Sequence, residues 1–248
     1  MENIMAVVLA AGKGTRLQTE QNHTAKVLRQ ACGRPLLHYV LSAIDFIPRE
    51  DTVLVVGYQR DAVTAAFPGC RYAVQEPQQG TGDAVRCARA YLDGFDGTVL
   101  VAYGDMPLLK KETYLGLVEA HRASGAACTL LAGTSDVALP YGRVLRRPDG
   151  SFDRVVEERD CTDEQRAIRE LNVGIYCFES RLLVPALGRL TCDNAQHEYY
   201  LTDVPAILRD DFGGKIEIYT ADLGEQIIGV NTPEQLELTE RYLRERGE

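Results

Sequence analysis

From Ala6 to Ala10 the chain is wholly apolar and rich in Val and Leu, and the run stops just before Gly12 and Gly14. So short an apolar run, bounded by turn residues, predicts a strand buried on both faces that feeds a tight turn. Behind Pro35, the apolar residues Leu36, Leu37, Val40, Leu41, Ile44 and Ile47 recur at helical spacing. This predicts a helix with proline at its first turn, where the missing amide hydrogen costs nothing. Thr52 to Val56 repeats the buried-strand pattern, Asp61 to Phe67 reads as a short helix, and Tyr72 to Val74 as a third strand. Asp83 to Leu92 follows as a helix with Val85, Ala88 and Leu92 turned inward, and Thr98 to Ala102 as a fourth strand. Buried strands alternating with helices, each connection long enough for a crossover, predict a parallel sheet covered on both faces.

Beyond residue 125 the pattern turns strand-like, over Ala127 to Ala132, Arg143 to Arg146, Phe152 to Glu157 and Asn172 to Phe178, with fewer helices between. Gly133, Pro140, Gly142 and Pro148 mark loops rather than a linker, because apolar segments resume on both sides. Pro233 to Arg246 reads as a charged helix carrying Leu236, Leu238, Tyr242 and Leu243. The expected class is therefore α/β: one unit over 1–248 with a Rossmann-like, mostly parallel sheet, helices on both faces and a small antiparallel lobe.

Composition narrows the functions. With 45% apolar and 25% charged residues, the 248-residue chain has the make-up of a globular protein with a sizeable core. Lys and Arg number 27 against 36 Asp and Glu, a net charge of −9, which disfavours a nucleic-acid surface. An anionic small substrate needs a local basic site instead, and only five of the cations are lysines, among them Lys13 and Lys26. The apolar run through Met5 to Ala11 is far short of the roughly 20 residues of a membrane helix and follows no basic leader. The expectation is a cytoplasmic protein without a membrane partner. Seven scattered cysteines without a Cys-x-x-Cys pair, and four dispersed histidines, indicate neither a disulfide framework nor a zinc site.

The segment LAAGKGTR, Leu9 to Arg16, joins the first strand to small residues and then to cations. Backbone amides freed by Gly12 and Gly14 can approach a phosphate, with Lys13 and Arg16 adding charge. A Walker loop fails on spacing, and the dinucleotide fingerprint fails at Leu17, where a third glycine is needed, and at Gly57, where a ribose-binding carboxylate belongs. On glycine spacing alone, a tight turn with surface charges fits equally well. Asp105 stands just beyond the fourth strand, at the end where ligands gather in open parallel sheets, and a carboxylate there can hold Mg2+.

LAAGKGTR, with Lys26 in AKVL, resembles the signature of the sugar-phosphate nucleotidyltransferases. The likeness continues through Gln75, GTGDA (80–84), YGDMPLL (103–109), YGRV (141–144), Val156-Glu157, ELNVG (170–174), NAQHEYYLTD (194–203) and GVN (229–231). This ordered series is similar to the uridylyltransferase domain of the bifunctional bacterial enzymes that make UDP-N-acetylglucosamine. The resemblance implies the nucleotide-diphospho-sugar transferase fold, with a nucleotide-binding half (1–125), a sugar-binding half (126–231) and a C-terminal helix (232–248). It implies UTP and N-acetylglucosamine-1-phosphate as substrates, Mg2+ as cofactor, and pyrophosphate as the second product. Leu9, Ala10, Ala11, Gly12, Gln75, Gly80 and Thr81 are then expected at the nucleotide. Tyr103, Gly104, Gly142, Glu157, Asn172 and Asn231 are expected at the sugar phosphate and its surroundings. Arg16 and Lys26 are the expected catalytic cations, and Asp105 and Asn231 the metal ligands. The alternatives are a pyrophosphorylase for dTTP, CTP or glucose-1-phosphate, or a catalytically silent nucleotide-sugar-binding regulatory subunit; retention of the cations together with both metal ligands argues against the latter.

The chain departs from the pattern in a longer stretch between Arg16 and Lys26, in Ala25 where a proline is usual, and in His197 where a glycine is usual. Nothing resembles the hexapeptide repeats of a left-handed β-helix, since only seventeen residues follow Asn231. The expectation is a chain without acetyltransferase activity, monomeric or weakly dimeric, with any separate acyltransferase partner left unknown.

Overall fold

The computed structural model describes residues 3–17, 23–134 and 139–248. Its strands are β1 (Ile4–Leu9), β2 (Gln30–Ala31), β3 (Arg34–Pro35), β4 (Thr52–Val56), β5 (Arg71–Val74), β6 (Thr98–Tyr103), β7 (Cys128–Thr134), β8 (Gly142–Arg146), β9 (Phe152–Val156), β10 (Glu170–Glu179) and β11 (Ile216–Ala221). Its helices are α1 (Leu36–Ala43), α2 (Arg60–Ala66), α3 (Thr81–Cys87), α4 (Arg89–Leu92), α5 (Lys111–Ser124), α6 (Asp163–Arg166), α7 (Ser180–Leu187), α8 (Val204–Phe212) and α9 (Pro233–Glu245).

Alternation along the strands sorts side chains onto the two faces. In β1, Ala6 and Val8 join Leu54, Val56, Leu100 and Ala102 beneath α1 and α5, where Leu37, Val40, Leu41, Leu117 and Val118 pack. Met5 and Val7 point the other way, with Val53, Val55, Val99 and Val101, against Ala84, Val85, Leu183, Ala186, Val204 and Leu208 of α3, α7 and α8. A third cluster, including Leu17, Leu36, Leu108, Val230 and Leu243, seats α9. That helix starts in a reciprocal capping box between Thr232 and Gln235.

The main sheet runs β11-β7-β10-β6-β1-β4-β5. Pairs β1–β4, β1–β6 and β4–β5 are parallel, as the first half of the sequence leads one to expect, and β11–β7 is parallel as well. The sheet is nonetheless mixed, because β10 lies antiparallel to both β6 and β7. The hairpin β8–β9 hangs from the start of β10 through Leu171–Arg143 and Asn172–Gly142, and this is the antiparallel lobe. A separate two-residue hairpin pairs β2 with β3.

Several elements differ from the sequence reading. The first helix ends at Ala43 rather than Ile47; Ile44 and Ile47 stay buried in the turns that lead to Pro48. The helix expected over Asp83 to Leu92 begins at Thr81 and breaks at Ala88, whose φ of −80° and ψ of 0° interrupt the α conformation. Elements α5, α7, α8 and β11 fall where no helix or strand is expected. Among the described residues, no helix is long and apolar enough to cross a membrane.

Candidate active site

After β1 the chain builds β4 and β5 on one side, then crosses to place β6 on the other. The crevice at such a switch point, outside the carboxyl ends of the strands, is where ligands bind in open α/β sheets. Leu9 and Tyr103 are register partners at those ends, so the segments that follow them diverge around a common opening. A cavity of about 560 Å³ lies there, reaching from Leu9, Ala11 and Gly12 across to Gly142, Glu157 and Asn172.

Arg16, Lys26, Asp105 and Asn231 all line this cavity and meet one another. The Lys26 Nζ forms an ion pair with Asp105 and donates to Asn231 Oδ1 at 2.7 Å. Arg16 Nη2 donates to the same oxygen at 3.2 Å. The backbone holds this group together: Val230 N donates to Asp105 O at 2.9 Å, tying the loop after β6 to the loop before α9. Tyr141 reinforces that loop, donating to Ile227 O at 2.6 Å and accepting from Gly229 N at 3.0 Å. Gly14, at φ +63°, lets the glycine loop pass close to Lys26, since a Cβ there would lie 2.8 Å from the Lys26 Cβ. Ala25 is fully buried and gives its N–H to Gln59 Oε1 at 2.8 Å, a bond that a proline could not make. The longer stretch before Lys26 includes residues 18–22, which lie outside the described residues.

One wall is formed by Leu9, Ala11, Gly12, Gln75, Gly80 and Thr81. Gln75 is buried and donates through Nε2 to Gly80 O and to Asp83 Oδ2, both at 2.9 Å. Thr81 accepts from Leu201 N at 3.0 Å, joining this wall to the NAQHEYYLTD segment.

The opposite wall carries Tyr103, Gly142, Glu157 and Asn172. Burial pushes the Glu157 carboxyl up, the hydrogen bond from Thr202 Oγ1 at 3.0 Å opposes this, and Asp203, Asp160 and Glu198 push it further up. Burial and then Asp160 also push Asp203 up, to about 6. Asn172 is held on both sides of its amide: Nδ2 donates to Tyr176 OH at 2.8 Å, and Oδ1 accepts from Gly174 N at 3.4 Å.

Two residues expected at the site lie off the cavity. Ala10 follows Leu9 and so faces the core, and its N–H is spent on Val55 O at 2.8 Å. Gly104 packs against Val27, Leu37 and the Leu9 carbonyl. Lys13 does not line the cavity either; its Nζ stands 6.0 Å from the centre of the Tyr58 ring. His197 is exposed at φ +54° and outside the cavity lining, while its neighbours Gln196 and Glu198 are part of it. Its left-handed backbone accounts for the usual glycine.

Further lining residues were not anticipated, among them Gln78, Met106, Tyr141, Gln196, Glu198 and Tyr200. All but Gln78 lie inside motif blocks already conspicuous in the sequence. Gln78 reaches Ala11 O through Nε2, a contact with no sequence signal.

The oxygens of Asp105 and Asn231 are the donor set of a hard divalent cation such as Mg2+. They already accommodate positive charge, because both touch the Lys26 ammonium. Among the described residues, no group of three or more His, Cys, Asp and Glu gathers to hold a metal. Two protein oxygens suit a divalent cation that takes its other ligands from substrate phosphates and water, as Mg2+ does in general.

Residues 6–200 match the family model described as MobA-like NTP transferase domain. The chain is 40% identical over 242 residues to the bifunctional protein GlmU of Geobacillus thermodenitrificans, covering 97% of this chain and 52% of that protein. It is 42% identical over 247 residues to that of Brevibacillus brevis (99% and 53%) and 44% over 246 residues to that of Streptomyces avermitilis (97% and 50%). The chain thus spans about half the length of the curated relatives it matches. A solved structure from Bacillus anthracis, provisionally named a glucose-1-phosphate thymidylyltransferase and bound to sucrose, superposes with a TM-score of 0.74 at 18% identity. It covers 98% of this chain and 96% of that one, and shares its α/β fold.

Proposed function

The chain belongs to the MobA-like NTP transferase family and is a nucleotidyltransferase; we propose that it moves a uridylyl group from UTP to N-acetylglucosamine-1-phosphate, releasing pyrophosphate. The observation that carries this reading is the cluster of Arg16, Lys26, Asp105 and Asn231 lining one cavity. The wall with Gly12, Gln75 and Gly80 suits a base and ribose, and the wall with Glu157 and Asn172 suits sugar hydroxyls and an acetamido group.

A phosphate oxygen of the sugar phosphate attacks the α-phosphorus of UTP, forming one O–P bond. The bond from that phosphorus to the bridging oxygen breaks, and pyrophosphate leaves. The nucleophile is already an anion, so no general base is needed, and the chain's task is alignment and charge neutralisation. Arg16 faces the departing pyrophosphate, and Lys26 the α-phosphate or the sugar phosphate. Asp105 and Asn231 would hold Mg2+, which would supply positive charge to offset that of the substrate phosphates. Glu157 accepts from sugar hydroxyls and Asn172 bonds the acetamido group.

The test is pyrophosphate release by the purified chain over a grid of UTP, dTTP and CTP against N-acetylglucosamine-1-phosphate and glucose-1-phosphate. The expected maximum is UTP with N-acetylglucosamine-1-phosphate, at roughly 10- to 10³-fold over glucose-1-phosphate. Equal rates with both sugars would move the assignment to a glucose pyrophosphorylase, and no release with any pair would leave a binding protein.

A further inference from the structure

The Gln75 amide is held by two groups that only accept hydrogen bonds, the Gly80 carbonyl and the Asp83 carboxylate. Its nitrogen must face them, whichever way the amide is otherwise drawn. The atom left to the cavity is Oε1, a pure acceptor. Asp83 is itself fixed. It is buried, its Oδ1 accepts from Arg86 Nη2 at 2.7 Å, and the Arg86 guanidinium sits 4.4 Å from the centre of the Tyr199 ring. Asp83 does not line the cavity, so its influence on a ligand there passes through Gln75.

We propose that Asp83 is a positioning residue that selects the nucleobase by locking the Gln75 carboxamide with its oxygen toward the base. The inference rests on the nucleotidyltransferase reading and on Gln75 meeting the base. An acceptor at this point pairs with a base that offers a ring N–H, as uracil and thymine do at N3. Cytosine presents a lone pair at the same ring position, so two acceptors face each other. Asp83→Asn weakens the lock. Arg86 still requires an oxygen, which turns the new amide nitrogen toward Gln75 and sets it against the Gln75 nitrogen. Gln75 is then pulled two ways, since Gly80 O still calls for its nitrogen and the new amide for its oxygen.

The alternative role for Asp83 is a purely structural one, a negative charge in the first turn of α3. Its loss would weaken UTP and CTP alike. The experiment is calorimetric binding of UTP and of CTP to the whole chain, with steady-state pyrophosphate release alongside, for the wild type, Asp83→Asn and Arg86→Gln. The wild type is expected to bind UTP more than tenfold tighter than CTP. In Asp83→Asn that ratio is expected to fall about tenfold, with kcat at saturating UTP falling much less. Arg86→Gln is expected to move the ratio in the same direction by about threefold, and it carries the test if Asp83→Asn does not fold. A wild type without preference, an unchanged ratio in the variants, or equal weakening of both nucleotides would overturn the proposal. Binding preference that disappears in Asp83→Asn, without any pyrophosphate release by the wild type, would uphold it while removing the catalytic reading.

Discussion

Lys26 and Asp105, 79 positions apart, meet as an ion pair with side chains only 14% and 17% exposed. The pair closes a ring of contacts: Lys26 also bonds Asn231, and Val230, the residue before Asn231, donates its backbone N–H to Asp105 O. Three loops that follow unrelated elements are thus fixed to one another at the mouth of the sheet. In the proposed reaction a substrate phosphate entering there meets cations already in place, which is the preorganisation that makes charge stabilisation effective.

Asp105→Ala is expected to lower turnover by roughly 10²-fold or more, the scale of losing a preorganised charge partner. The variant is expected to fold, because Asp105 lies in a loop and its backbone bond to Val230 is untouched. Pyrophosphate release with a thermal melt decides both points; a folded variant of near-normal rate would take Asp105 out of the reaction.

Arg16→Ala and Lys26→Ala are expected to lower kcat more than they raise KM, because in the proposed reaction both cations face charge that grows as pyrophosphate leaves. Lys26 is the more covered of the two, so its loss is expected to be the larger and the less sensitive to salt. Kinetics at two ionic strengths separate them, and a silent Lys26→Ala would mean that the ion pair with Asp105 serves structure alone.

Much of this arrangement is legible in the sequence, for physical reasons that can be named. Val53 to Val56 is unbroken apolar because β4 lies between two parallel neighbours and is buried on both faces, and the pattern marks its bounds. Asp105 is visible as a carboxylate just past the end of a strand. Ala10 was also decidable, since strand alternation puts it on the opposite face from Leu9. The spacing of Tyr114, Leu117, Val118 and His121 does encode α5, but its polar residues dilute the signal. What no local pattern reveals is the antiparallel course of β10, fixed only by its neighbours. The meeting of Asn231 with Lys26 is likewise a tertiary fact, and only the family resemblance pointed to Asn231.

Two titratable groups, His121 buried and Asp203 half-buried, pull stability in opposite directions with pH. Burial first, and Arg122 second, push His121 down from 6.5 to about 4, with Thr129 Oγ1 3.0 Å from its Nδ1. Between about 4 and 6.5 the unfolded chain binds the His121 proton and the folded chain does not, so this residue's contribution is lost as pH falls. Asp203 is the reverse. Raised from 3.8 to about 6, it holds a proton in the folded chain that the unfolded chain releases, so its contribution is lost as pH rises across that window. Asp203→Asn is therefore expected to steepen the loss of stability from pH 6.5 to 4, and His121→Gln to flatten or reverse it. Denaturant midpoints at several pH values read the slopes, and equal slopes in both variants would contradict the opposition.

Tyr176 tests the sugar end of the cavity without touching it. It is fully buried, stacks on Phe178, and its hydroxyl takes the Asn172 Nδ2 hydrogen at 2.8 Å. The chain bends between the two residues: Gly174, at φ +86°, lies against Tyr103 so closely that a Cβ would come 2.6 Å from the ring. The Asn172 amide therefore has little room to find another partner when the hydroxyl is removed. Tyr176→Phe leaves a buried N–H unpaired, which is expected to cost about 1–3 kcal/mol of stability and to free the amide to turn. If Asn172 reads the acetamido group, the preference for N-acetylglucosamine-1-phosphate over glucose-1-phosphate is expected to fall about tenfold, mostly through KM of the N-acetyl substrate. The ratio of kcat/KM for the two sugars is the measurement, taken beside the melting temperature. A lower melting temperature with an unchanged ratio would assign the Tyr176–Asn172 bond to the fold and move the recognition of the acetamido group elsewhere in the wall.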